Sequence, residues 1–359
     1  MKKCKQWIKV SLLTLAILIV LIITLNYKID SLGLYGNSSF LKKAALALTE
    51  GNIIAGLKNF DNRLFQLHII NNLKTKTDVI TIGSSRSMQV RKTLVSNSTQ
   101  TYFNHSVAGA SLKDYISILG IYKKNLTYLP KKIILGVDPW IFNKYNGQSR
   151  YKTLSSFYNY MLSELSLENK IYLEKEINTN KYKQLINYEY TLANIKFLKN
   201  YLKNGMKAFY IIKSVENHKY VRGTDGTSYE DYTKYNLTEI NRKAIAYTNG
   251  NVYSLGGFKE LSHTKLFETL IKYLQENGSE VIFFLHPYHP LTYDKLSKNQ
   301  KYKIIVDTEN YLRNFAQNNK ISIYGSYNPK KYNLIDNDFL DGMHSKDNVP
   351  KLIFKNLKN

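Results

Sequence analysis

Four short apolar runs, each stopping abruptly at a polar turn, most constrain what this chain can fold into. Asp78-Val79-Ile80-Thr81-Ile82 ends in Gly83-Ser84-Ser85-Arg86, and Lys132-Ile133-Ile134-Leu135-Gly136-Val137 ends at Asp138-Pro139. Val281-Ile282-Phe283-Phe284-Leu285 ends at His286-Pro287, and Ile321-Ser322-Ile323-Tyr324 forms a fourth. A strand with one wet face alternates apolar and polar residues; a continuous β-branched run belongs to a strand buried on both faces. Spaced by helix-compatible stretches, these runs predict an α/β fold, a parallel β-sheet flanked by helices. Such sheets bind ligands beyond the carboxyl ends of their strands. The polar turn residues of this chain cluster at those ends.

The N-terminus carries a different signal. Lys2, Lys3, Lys5 and Lys9 precede an uncharged stretch from Val10 to Tyr27, about the ~18 residues that mark a membrane span. The preceding lysines place the basic tail, residues 1–9, in the cytoplasm and the rest of the chain outside. That makes 10–27 a transmembrane anchor, with a cleavable signal peptide as the competing reading. Asn26-Tyr27-Lys28-Ile29-Asp30 offers no small-x-small cleavage site, which favours the uncleaved anchor. The single cysteine, Cys4, lies before the apolar run, whereas a lipoprotein signal would place it after. One cysteine also excludes a disulfide within the chain, as is common in exported bacterial proteins.

Residues 28–77 show helical periodicity without obvious chemistry, and read as a stalk and first helices. The main domain is expected over 78–359. Its interval from about 145 to 280 is too long for one crossover and is read as a helical insertion or cap, with a Gly-rich stretch at Arg222–Thr227. The net charge of +24 and pI near 9.6 suit a polyanionic partner. Nucleic acid is disfavoured by the membrane segment and by the lack of any zinc-finger or RNA-binding signature. Anionic lipid or a phosphate-bearing wall polymer fits better, though lysine used simply for solubility accounts for the charge equally well.

Two motifs could carry chemistry. An attacking serine needs a base for its proton, a group that orients the base, and donors for the oxyanion. At Gly83-Ser84-Ser85-Arg86, glycine allows a tight strand-to-helix turn and Ser85 would project at the sheet edge with its N–H free. The competing reading makes these serines a helix cap. In Phe339-Leu340-Asp341-Gly342-Met343-His344-Ser345, an aspartate three residues before a histidine can orient the imidazole from one loop. A plain Asp-Gly turn with a surface histidine is the alternative.

Taken in order, the strand–Gly-x-Ser turn and the late Asp-x-x-His resemble the SGNH, or GDSL-like, hydrolase superfamily. The Gly-Ser-Ser form is similar to the membrane-anchored D-alanine transfer proteins of teichoic-acid operons and related surface-polysaccharide acyltransferases. The resemblance implies a flavodoxin-like three-layer sandwich, with Ser85 as nucleophile, His344 as general base and Asp341 as orienting carboxylate. It places the oxyanion hole at the N–H groups of Ser85 and Gly109, the latter within Asn104-His105-Ser106-Val107-Ala108-Gly109. The family's third block usually reads Gly-x-Asn-Asp, but here it is Gly136-Val137-Asp138-Pro139, and an ionised aspartate cannot donate. Asp138 is left three roles: a protonated donor, a contact to a substrate hydroxyl, or a partner holding Arg86. Arg86 and His286 are expected to bind substrate at the same edge. His286 and His289 also have a spacing that could suggest a metal, but no third ligand is apparent and none is expected. His105, His218 and His263 have no evident partner.

The expected function is a membrane-anchored serine esterase or O-acyltransferase acting on a cell-envelope polysaccharide or teichoic-type polymer, with no cofactor. A membrane-bound O-acyltransferase partner is implied by the resemblance. The alternatives are a non-catalytic scaffold of a polysaccharide assembly system and a polymer-binding surface protein.

Overall fold

The four apolar runs become four neighbouring strands of one parallel sheet. The computed structural model describes residues 2–36, 39–166, 181–232, 235–250, 255 and 257–357. In chain order it contains α1 (Lys2–Ile29), α2 (Ser39–Thr49), β1 (Ile53–Ala55), α3 (Asn62–Asn71), β2 (Val79–Ile82), α4 (Lys92–Val95), β3 (Tyr102–Asn104), α5 (Leu112–Ile121) and β4 (Lys132–Gly136). There follow α6 (Ser155–Glu164), α7 (Tyr188–Lys203), β5 (Tyr210–Ile212), β6 (Val221–Arg222), β7 (Ser228–Tyr229), α8 (Leu237–Asn249) and α9 (Thr264–Glu276). The chain closes with β8 (Glu280–Leu285), α10 (Pro290–Lys298), α11 (Ile304–Asn318), β9 (Ser322–Gly325) and α12 (Asn348–Ile353).

The main sheet has the order β3-β2-β4-β8-β9 with every pair parallel. Counted along the chain that is 2-1-3-4-5, the flavodoxin-like doubly wound order, whose one switch point lies between β2 and β4. Side-chain alternation divides each run between two cores. Ile80, Ile82, Ile133, Leu135, Val281 and Phe283 pack with Leu119 of α5, Phe267 of α9 and Leu312 of α11. Val79, Ile134, Ile282 and Phe284 pack on the other face with Val95 of α4, Ile240 of α8 and Val349 of α12. Helices therefore cover both faces, which is why these runs never alternate.

Among the described residues the interval 145–280 carries α6, α7, α8 and α9, and adds β5, β6 and β7, which join β1 in a small antiparallel sheet of order β5-β1-β6-β7. Its last helix, α9, is a sheet-covering crossover into β8. Residues 39–71 supply the first helices, α2 and α3, and these pack onto the sheet edge. Leu41, Leu48, Ile54 and Phe65 form a core with Phe103 of the sheet edge. Arg63 of α3 is buried against Asp114 of α5 at 2.8 Å.

Helix α1 runs unbroken through the basic segment to Ile29, and over Lys3–Ile29 it is long and apolar enough to cross a membrane.

Candidate active site

Three serines in one turn divide its work, and the backbone dictates how. The side chain of Ser87 lies across β2 and β4. A Cβ on Gly83 would sit 2.5 Å from Ser87 Oγ, and one on Gly136 would overlap that hydroxyl. The turn can settle between the two strands only because both positions are glycine. Ser84 does what a cap does, its hydroxyl accepting from Arg86 N–H at 3.2 Å. Ser85 is left at the switch point with its hydroxyl uncommitted to the backbone.

That hydroxyl meets the C-terminal loop. Ser85 Oγ lies 2.9 Å from His344 Nε2, and His344 Nδ1 lies 2.8 Å from Asp341 Oδ2. The other carboxylate oxygen, Asp341 Oδ1, accepts the N–H groups of Met343 and His344, each at 2.8 Å. Burial pushes the Asp341 carboxyl up, but the bond and charge of His344 and these two N–H donors outweigh it, holding the pKa down at about 2. The carboxylate is therefore ionised wherever His344 can act as a base. This geometry meets the requirements of an oriented base on a serine.

The loop is held by its neighbours. Leu340 N–H donates to His344 O at 2.8 Å, and His289 N–H donates to Gly342 O at 3.2 Å. A Cβ on Gly342 would meet Tyr247 Cβ at 2.6 Å and Thr292 Oγ1 at 2.8 Å, so α8 and α10 press directly on it. Gly342→Ala should displace the loop without emptying the core. Since a shift of ~1 Å can cost about 10²-fold in rate, reaction of Ser85 with a serine-directed phosphonate should slow by that order with only a modest fall in melting temperature. Stopped-flow labelling and thermal melts read the two effects separately.

Arg86 and Asp138 pair with each other below the site. Both are buried, and Arg86 Nη1 donates to Asp138 Oδ1 at 2.7 Å. The rest of the guanidinium donates to backbone: Nε to Met343 O at 3.0 Å, Nη2 to Pro287 O at 3.0 Å and to His286 O. Arg86 also stacks over the Tyr288 ring, 4.2 Å from its centroid. Buried, with four of its five N–H donors committed, Arg86 is not among the residues lining the cleft beside Ser85. It ties the turn after β2 to the loops after β8 and before α12. Of the three roles open to Asp138, this geometry selects the partner that holds Arg86. Burial raises the Asp138 carboxyl, and the Arg86 charge opposes that rise.

His286 is likewise a correction. Its ring is buried, with Nε2 3.1 Å from Ser345 Oγ and Nδ1 3.1 Å from its neighbour's carbonyl, Pro287 O. Burial and then the Arg86 charge push its pKa well down, leaving a neutral brace behind His344 rather than a substrate contact. His289 caps α10, its Nδ1 accepting from Leu291 N–H at 3.2 Å. His105 is a core residue, 2.7 Å from both Gln66 Oε1 and Tyr122 OH, with burial lowering its pKa to about 3. Among the described residues no group of three His, Cys, Asp or Glu could hold a metal.

The triad opens on a cleft of about 270 Å³ whose walls include Met88, Gln89, Ser228, Glu230, Tyr235 and Lys243. Four of these six belong to the insertion, which the sequence marked as a cap but could not assign to the site. Gly109 and Asp138 are not among the cleft's walls. The Gly109 carbonyl lies 3.5 Å from Arg63 Nη2 of α3. Just before it, the Ser106, Val107 and Ala108 N–H groups donate to Asn104, Gly83 and Asn62. Of the expected oxyanion donors, the Ser85 N–H alone is at the cleft. A larger cavity of about 370 Å³, lined by Lys113, Lys144, Lys152 and His263, holds none of the triad; the chemistry selects the smaller one.

No protein-family model matches the chain, and no curated protein matches it in sequence.

Proposed function

We propose that this chain is a membrane-anchored SGNH-type serine O-acyltransferase or esterase acting on a cell-envelope polysaccharide or teichoic-type polymer. The observation that carries this reading is the line from Ser85 Oγ through His344 to Asp341, with contacts of 2.9 and 2.8 Å. In the first half-reaction the Ser85 proton passes to His344 Nε2 while Oγ bonds to the acyl carbon. His344 then gives that proton to the departing oxygen as the ester bond breaks. In the second half a polymer hydroxyl, or water, gives its proton to His344 and attacks the acyl-serine, and His344 returns a proton to Ser85 Oγ as the acyl–serine bond breaks. Transfer and hydrolysis share every step but the identity of that last nucleophile. An α1 anchor with the N-terminal lysines inside and the domain outside, together with the basic surface, favours a polymer acceptor near the membrane. A membrane-bound O-acyltransferase is the partner that would supply acyl groups.

One observation favours a non-catalytic scaffold: neither Gly109 nor Asp138 stands at the cleft as an oxyanion donor. The experiment that separates the readings is labelling of the full-length protein with a fluorophosphonate, followed by peptide mapping. Label on Ser85, absent from Ser85→Ala and strongly reduced in His344→Ala, is the result expected of an acyl-serine enzyme. A folded protein that takes up no label is the result expected of a scaffold.

A further inference from the structure

The C-terminal end of α1 is not a free tether. Asn26 Nδ2 donates to Leu185 O at 2.7 Å and to Thr191 Oγ1 at 2.8 Å. Asn194 Nδ2 donates to Asn26 Oδ1 at 2.9 Å, while Asn194 Oδ1 accepts from Ser31 N–H at 2.8 Å. Tyr190 OH donates to Asp30 Oδ1 at 2.8 Å, and Asp30 Oδ2 accepts from Tyr35 N–H at 3.0 Å. Asn26, Asp30, Ser31 and Asn194 are fully buried in this joint. Buried amides and carboxylates so fully paired hold one geometry, because breaking any pair strands its partner.

The joint fixes the height of what lies beside it. Asn26 follows Leu25, the last residue of the continuous apolar middle of that stretch, so it lies near where the span leaves the hydrocarbon. The short 3₁₀ turn Lys181–Ile186 and the start of α7 sit against it. Leu185 turns inward, while Tyr182, Ile186 and Tyr188 are 65%, 63% and 75% exposed. Single exposed apolar residues need no explanation, but three within seven residues, held against the end of a membrane-spanning helix, do. Tyrosines are favoured at headgroup depth, where ring and hydroxyl meet different surroundings, and the exposed Lys28 and Lys183 suit anionic headgroups.

We propose that Tyr182, Ile186 and Tyr188 form a foot that inserts into the outer interface of the bilayer, so that the domain stands on the membrane in one orientation. The proposal rests on α1 spanning the membrane. Its consequence is that the Ser85 cleft is presented to the membrane surface at a set height rather than swinging on a linker.

The single native cysteine makes the test direct. In the full chain carrying Cys4→Ser, single cysteines Leu18→Cys, Ile186→Cys, Tyr188→Cys and Ile335→Cys are labelled with an environment-sensitive fluorophore. The protein is then placed in nanodiscs of mixed phosphatidylcholine and phosphatidylglycerol. Probes at 186 and 188 are expected to be quenched by nitroxide-bearing lipids and shielded from iodide, while the probe at 335 shows the reverse. Lipid quenching at 186 should be lost when Asn26→Ala and Asn194→Ala are added, with quenching at 18 unchanged. Iodide access at 186 and 188 equal to that at 335, with 18 quenched by lipid, overturns the foot and leaves the anchor standing. Absence of lipid quenching at 18 overturns the anchor, and the foot with it.

Discussion

Arg86→Ala is expected to destabilise the protein by about 3–5 kcal/mol, the range for removing one partner of a buried ion pair. The charge alone does not set this figure. Arg86 is the common donor to three carbonyls on two loops, and its removal takes the arginine from His286 O, Met343 O and the Asp138 carboxylate, all buried. Lysine cannot substitute, since its single ammonium lacks the planar fork that reaches Asp138, Met343 and Pro287 at once. Asp138→Asn keeps an oxygen that accepts from Arg86 but leaves the guanidinium charge buried without its counter-ion, so it too should destabilise the protein. The pH dependence has a definite sign. Without Arg86 the buried Asp138 carboxyl, already raised by burial, rises further. Its protonated form is the cheaper one to bury, so the variant's deficit should be smaller near pH 4 and grow as pH rises towards neutrality. Urea unfolding at the two pH values measures this directly. A deficit no larger than that of a surface substitution, or one that shrinks as pH rises, would refute the role assigned to the pair.

The same pair shows which parts of the site are legible in sequence. Ser85, His344 and Asp341 are readable because each sits where local rules put it: one on a glycine turn ending a strand, two in a single Asp-x-x-His loop. The strands themselves are readable because burial on both faces removes polar alternation. What cannot be read are contacts made to backbone. The carbonyls of His286, Pro287 and Met343 hold Arg86, and a carbonyl leaves no trace in residue type. That is why His286 looked like a substrate contact and proved to be a brace. The small antiparallel sheet is illegible for another reason: β5, β6 and β7 have two or three residues each, β5 and β6 pair with β1 far upstream, and β7 is held through β6. The cleft walls Ser228, Glu230 and Lys243 ride on that sheet and on α8, so their place in the site depends on tertiary structure. Edge strand β3, three residues long, is also too short to signal itself.

Asp341→Asn should lower the rate of Ser85 acylation by about 10⁴-fold while leaving the fold intact, the loss expected when a triad carboxylate becomes an amide. Both oxygens of Asp341 are acceptors in use. Oδ2 takes the Nδ1 hydrogen of His344, and Oδ1 takes two backbone N–H groups. An asparagine must turn its NH₂ towards one of these sites. Facing His344, it donates to Nδ1, which moves the ring proton to Nε2, and Nε2 then points a hydrogen at Ser85 Oγ and cannot accept one. Facing the loop, it opposes two N–H donors and disturbs the turn that carries the base. The first arrangement costs less, so the variant keeps its fold and loses its base. Stability supplies an independent check. The Asp341 carboxyl lies at about 2 in the folded protein against an ordinary 3.8, so its contribution is full above about pH 4 and lost as pH falls towards 2. Asparagine removes that titration. The stability gap between wild type and variant should therefore be constant from neutrality down to about pH 4 and narrow below it. A variant that acylates at the wild-type rate, with the gap unchanged down to pH 2, would mean that Asp341 neither orients His344 nor carries a charge the fold depends on.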